Sequence, residues 1–159
     1  MGNPACFLTM TLAAALLALP VTSLQGKSLN MANNELQGEA QKGFEQILDL
    51  WRDGKYGELF DRTTGSGRET RERFAARLAE APLKPACCWE KMQDVKVRAG
   101  QSGVVTIRAR IGLEGGMVTE YRTCSFKLLK DEGVWKVSRS EIMALSGDAK
   151  QKKRRSKWN

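Results

Sequence analysis

Between Cys88 and Met143 four strand-like segments follow one another with turn residues between them, after a helix-rich half. A chain that makes its helices first and then pleats back and forth has few folds open to it. The clearest segment alternates Val105, Ile107, Ala109, Ile111 and Leu113 with Thr106, Arg108, Arg110 and Gly112, the period-two pattern of a strand with one buried face. Gly115 and Gly116 supply a two-residue hairpin loop of the kind that needs positive φ, which pairs Glu114 with Met117. On that register Val105 faces Phe126, Ile107 faces Cys124, Ala109 faces Arg122, Ile111 faces Glu120 and Leu113 faces Val118.

A one-residue slip turns every apolar side chain outward, so parity constrains the other two hairpins. Around Asp131 to Gly133, an odd sum of facing residue numbers turns Trp135 and Val137 inward and carries Arg139 and Glu141 with them. Around Gly100 to Gly103, an even sum does the same for Val95 and Val97, along with Trp89, Lys91 and Gln93. The predicted inner face has an apolar half made of Val95, Val97, Val105, Ile107, Cys124, Phe126, Trp135 and Val137. Its other half is polar: Lys91, Gln93, Glu120, Arg122, Arg139 and Glu141, beside Ala109 and Ile111. The outer face carries Thr106, Arg108, Arg110, Tyr121, Thr123, Ser125 and Lys127, too polar for an obligate interface. A bulge, common in curved sheets, would move these assignments.

Upstream, Leu36, Ala40, Phe44, Ile47, Leu48 and Trp51 recur at helical spacing, with Asn33 or Asn34 as cap and Gly54 as stop. A short helix fits Tyr56, Leu59 and Phe60. After the turn cluster from Thr63 to Gly67, a third helix presents Phe74, Ala75 and Leu78 and ends before Pro82 and Pro85. Each needs a surface to cover, and the sheet is that surface. The predicted fold class is α+β, with three N-terminal helices packed on a curved antiparallel four-stranded meander.

No charged residue precedes Lys27, and the apolar run Phe7 to Leu19, closed by Pro20 and small residues, reads as a secretory signal over 1–23. It is shorter than the roughly 20 residues of a spanning helix, and an uncleaved anchor is the alternative. The expected organisation continues with a linker over 24–33, the domain over 34–147 and a basic tail over 148–159. The predicted location is periplasmic or extracellular. Of the formal net charge of +8, six units come from Lys150, Lys152, Lys153, Arg154, Arg155 and Lys157, so the domain itself is nearly neutral. The tail reads as a solvated segment or as an anchor for an anionic membrane surface, and nucleic acid is a poor match for the domain.

The 159 residues include no histidine, which removes the usual general base and the commonest metal ligand. Neither a metal nor a cofactor is expected. The polar half of the inner face is the candidate ligand site, because buried charges are costly unless they are paired or meet a ligand. It reads either as a self-satisfied ion-pair cluster or as a pocket mouth where Arg122 and Arg139 hold an anionic or polar ligand. Only Glu120 and Glu141 are placed there to move a proton. Cys124 lies too far from Cys88 for a disulfide on this register and reads as a buried thiol. Cys87 and Cys88 are the pair placed to meet a thiol reagent or another chain. Trp51, Trp89 and Trp135 read as core anchors.

From about Asn34 to Leu145 the chain resembles the NTF2-like, or SnoaL-like, family of cystatin-like α+β cones. The resemblance rests on Phe44-Glu45-Gln46-Ile47-Leu48-Asp49-Leu50-Trp51, on Gly54-Lys55-Tyr56, on the Phe74 helix and on Gly133-Val134-Trp135-Lys136-Val137-Ser138. It implies helices closing over a bent sheet, a pocket at the open end, and a homodimer as a permitted state. It carries over no catalytic residue, because the family's pocket acids and histidine have no counterpart here. Three functions follow as expectations. One is a non-enzymatic exported domain binding a small ligand or a protein partner at the polar end. Another is a lyase, isomerase or hydrolase using a pocket Glu. The third is a structural domain tethered by its basic tail.

Overall fold

The computed structural model describes residues 25–65, 67–100, 103–116 and 118–147. Its elements in chain order are α1 (Gln25–Arg52), α2 (Tyr56–Asp61), β1 (Thr63–Thr64), α3 (Arg71–Ala79), β2 (Lys84–Pro85), a 3₁₀ turn (Cys88–Glu90), β3 (Met92–Ala99), β4 (Val104–Gly115), β5 (Val118–Asp131), β6 (Val134–Ser138) and α4 (Arg139–Leu145). The fold is α+β, with helices followed by a curved, open sheet. The meander runs β3-β4-β5-β6, and the two-residue strands β1 and β2 extend it, β1 lying parallel to β6. No helix among the described residues is long and apolar enough to cross a membrane.

Helix α1 is the spine. Ala40, Phe44, Ile47, Leu48 and Trp51 are fully buried against the inner face, at the three- and four-residue spacing of one helical stripe. Gly54, at φ 74°, ends the helix, with Lys55 N–H bonded to the Leu50 carbonyl and Gly54 N–H to that of Trp51, a Schellman closure. At its other end the helix starts at Gln25, so residues 25–33, expected as a linker, are helical. A polar stretch free of breakers after Gly26 can propagate a helix without an apolar face. Gly43 admits Trp135 of β6: a Cβ there would lie 2.5 Å from the indole. Phe44 meets Phe126 of β5 with ring centroids 4.5 Å apart.

The sheet keeps the expected faces and corrects several partners. On β4 the inward residues Val105, Ile107, Ala109, Ile111 and Leu113 are all fully buried. Their partners on β5 are Leu128, Phe126, Cys124, Arg122 and Glu120, two residues along from the expected pairing. The hairpin turns after Gly115 rather than before it, because Gly115 serves another contact: a Cβ there would lie 2.5 Å from the Leu83 side chain. A two-residue shift preserves parity, so no side chain changes face. The Glu132-Gly133 turn has φ of 49° and 79°, and the odd sum predicted between β5 and β6 holds, with Leu128 facing Val137.

Two further corrections matter for the site. Strand β3 carries a bulge between Gln93 and Lys96, with Asp94 at φ 52°. Past it the faces swap: Met92 stands opposite Ile111 and packs on the core, and Gln93 stands opposite outward-facing Arg110. Lys91 and Trp89 fall outside the strand altogether. Strand β6 stops at Ser138, so Arg139 and Glu141 lie on α4, not on a strand. Ser138 is the N-cap and Glu141 the third helical residue, the S-x-x-E spacing of a capping box, followed by Ile142, Met143 and Leu145, all buried in the core.

Candidate functional site

Of the six predicted inner-face residues, the structure brings Glu120 and Arg122 together and disperses the rest. Arg122, on the inner face of β5, donates from Nε to Glu120 Oε1 at 2.6 Å and from Nη1 to the Leu145 carbonyl at 3.3 Å. The guanidinium holds the Glu120 carboxyl below its ordinary pKa, first through that hydrogen bond and then through charge. Both side chains stay accessible, Arg122 at 34% and Glu120 at 51%. The pair therefore sits at the rim of the sheet's inner face, where α4 ends.

Arg139 turns away to the other side. It is buried, donating from Nε to Thr63 Oγ1 at 3.1 Å and from Nη1 to the Glu69 carbonyl at 3.3 Å, with its guanidinium 4.0 Å from the centre of the Phe60 ring. The nearby Glu69 carboxylate is bonded to Arg77 instead. Hydroxyl, carbonyl and ring together stabilise the buried cation, which ties α4 to β1, α2 and the approach to α3.

Glu141 is half-buried, and burial pushes its carboxyl up; the backbone N–H groups of Lys127 and Ser138, and the Lys127 charge, pull the other way. Its Oε2 is buried without a partner. The position explains this. With β6 ending at Ser138, the Lys127 N–H of β5 has no ladder carbonyl to bond, and the carboxyl stands in for the missing strand while capping α4. Lys91 Nζ bonds Asp49 Oδ1 at 2.7 Å, joining the approach to β3 to α1. Gln93 is on the outer side. Lys150, Lys152, Lys153, Arg154, Arg155 and Lys157 lie outside the described residues.

The expected apolar half of the inner face is part of the buried core. Trp135 and Val137 are buried with Phe126 and the β4 residues, and α4 adds Ile142, Met143 and Leu145 to the same cluster. A shallow open groove of about 300 Å³ lies elsewhere, between α1 and the β5-β6 hairpin, with Lys42, Gln46, Arg62 and Trp135 in its lining. Sequence parity does not reach it, because it is formed where helix and hairpin meet, at Gly43 against Trp135 and through the Glu39–Lys130 ion pair. Among the described residues no group of three or more His, Cys, Asp or Glu side chains is placed to hold a metal.

Cys124 is a free thiol that burial pushes up in pKa, and it stands opposite Ala109 rather than Ile107. Cys87 and Cys88 are disulfide-bonded to each other on an exposed turn, with Cys88 at φ 57°. Trp89, expected in the core, is 73% exposed. Its position on the 3₁₀ turn, ahead of the strand, frees it from the parity that would have turned it inward.

No family model matches the chain, and no curated protein matches it. Among solved structures it is similar to Aln2 from a Streptomyces species, at 14% identity over 69% of this chain and 94% of that one, with a TM-score of 0.45.

Proposed function

We propose that the chain is an exported, non-enzymatic domain of the NTF2-like kind that binds an anionic group, on a small ligand or a partner protein, at the rim of its inner face. The observation that carries this reading is Arg122. Glu120 and the Leu145 carbonyl fix its guanidinium from two sides, while Nη2 has no partner among the described residues and the side chain is one-third exposed. A guanidinium held in place with donors to spare is preorganised for a carboxylate or phosphate. The buried cluster around Phe126 packs the apolar part of the inner face, so the accessible charged group on that face is the Arg122 rim. Glu141, the other acid considered, has a structural task at the start of α4.

The test is a titration of the full chain with succinate and with inorganic phosphate, followed by amide NMR. Saturable shifts confined to residues 120–124 and 145–147, lost in Arg122→Leu, support the reading. Shifts that never saturate, or that persist in Arg122→Leu, reject it. Export is tested by N-terminal sequencing of the chain recovered outside the cytoplasm, with cleavage expected near Ser23.

A further inference from the structure

The outer face of the sheet holds a pattern that packing does not explain. Its upper margin is set by the 3₁₀ turn, which crosses β4 at Gly112, where a Cβ would stand 2.3 Å from the Glu90 carbonyl oxygen. Tyr121, opposite Gly112 on β5, donates its hydroxyl to Glu90 at 2.9 Å, and the Arg110 guanidinium covers the Tyr121 ring at 4.2 Å. This contact places exposed Trp89 at the edge of the outer face. Below it the cations begin. Lys96 stands opposite Arg108, Arg98 opposite Thr106, and Thr106 opposite Lys127.

Lys96, Arg98, Arg108 and Lys127 are all exposed and no salt bridge joins them to an acid among the described residues, although the Lys127 charge acts on nearby Glu141. The bordering acids are engaged elsewhere: Glu90 with Tyr121, Glu114 with the Cys87 N–H, and Asp131 with Lys136. Asp94 sits in the bulge, facing no residue of β4. Like charges directly opposite each other destabilise a sheet, so a Lys–Arg pair flanked by two more cations works against the fold. The domain as a whole is nearly neutral, so this face concentrates what positive charge it has. Leu129, 42% exposed, lies on the same face.

We propose that this outer face docks on an anionic lipid surface, with Lys96, Arg98, Arg108 and Lys127 against headgroup phosphates and Trp89 seated at the interface. Cations spread over three adjacent strands match many phosphates in a plane better than one small anion. An exposed indole beside them is the side chain suited to the boundary between headgroups and acyl chains. Nucleic acid fits less well: Tyr121, the ring set among the strands, is tethered by Glu90 and covered by Arg110, which leaves Trp89 alone at the edge rather than a row of rings on which successive bases could stack. The inference rests on the outer face alone and is independent of Arg122.

The experiment is co-sedimentation of the full chain with phosphatidylcholine vesicles, with and without phosphatidylglycerol, across a salt series. Binding is expected only with phosphatidylglycerol and is expected to weaken with salt. Arg98→Glu/Arg108→Glu should reduce the bound fraction's partition coefficient by about tenfold or more. Trp89→Ala should reduce it a few-fold without changing the salt slope. Both variants retain the basic C-terminal segment, so binding unchanged in the double variant overturns the proposal by assigning attachment to that segment. Equal binding to neutral vesicles, or retention of single-stranded RNA without retention on vesicles, also overturns it. If the double variant fails to fold, Thr123→Glu/Ser125→Glu interleaves acids among the same cations and should give the same loss.

Discussion

The two faces of the meander come from the same alternating residues, yet only one of them is accounted for by stability. Inward, Val105 to Leu113 on β4 meet Phe126 and Leu128 on β5, and helices α1 and α4 cover them, so each side chain has a neighbour and little exposed area. Outward, Arg108 faces Lys96 across one ladder and Ser125 across the other, in water, with no acid in the row. Apolar burial contributes on the order of 25 cal/mol per Å², so the inner residues are held there by the core itself. Opposed cations gain nothing of the kind. A face that lowers stability while remaining accessible is a better place to look for a binding role than one that is sealed.

The largest effect should come from breaking the inner face at its centre. Phe126→Ala removes the ring that packs on Phe44, tilted, at 4.5 Å and leaves a cavity between α1 and β5. A loss of about 3–5 kcal/mol is expected, read as a lower urea midpoint with an unchanged slope. A loss below about 1 kcal/mol would mean that the inner face is looser than its burial indicates, and the contrast between the faces would fail.

How much of this was legible in the sequence depends on which physical rule each residue answers to. Parity answers to burial, and burial decided the faces of β4, β5 and β6 correctly even though the Gly115 hairpin shifted by two residues. Register answers to local contacts, and the Leu83 side chain against Gly115 is a contact between segments that no local pattern announces. The bulge at Asp94 follows the same logic; a single left-handed residue redirected Met92 and Gln93. The end of β6 was readable: Ser138-Arg139-Ser140-Glu141 before Ile142-Met143 has the spacing of a capping box ahead of an apolar run, and Glu141 makes its half of that motif to the Ser138 N–H. Reading the strand through it placed Arg139 beside Arg122, when the helix turns Arg139 toward Thr63 instead. The polar half of the inner face was thus legible in its membership at Glu120 and Arg122 only. The outer cations were visible as residues, but their cross-strand opposition needed the register.

A smaller effect tests the seam between the faces, where Glu141 occupies the place of the missing strand. Burial raises its folded-state pKa above the unfolded one, so its contribution to stability is fully present below the unfolded pKa and is lost as pH rises through the folded pKa. Glu141→Gln stays neutral throughout. The stability of the natural chain relative to this variant should therefore fall as pH is raised from the acid limb, through the carboxylate range, to neutrality. Comparing the two chains at each pH cancels the opposite trend of groups such as Glu120, whose pKa is lowered. A difference that rises with pH would mean that the N–H groups of Lys127 and Ser138 outweigh burial, and Glu141 would then be an ordinary helix cap.

The smallest effect is the most discriminating, because its sign is opposite to that of an ordinary substitution. Arg108→Glu places an acid opposite Lys96 and relieves the repulsion across the β3-β4 ladder. A gain of about 0.2–1 kcal/mol is expected in urea at low salt. High salt should shrink that gain, since an exposed pair is screened over a few ångströms. The same substitution should weaken attachment to phosphatidylglycerol vesicles, so stability and binding move in opposite directions in one variant. If Arg108→Glu lowered stability, the arginine would be supporting the sheet, through its stem lying along Ser125 and Lys96. The outer face would then need no function to account for it.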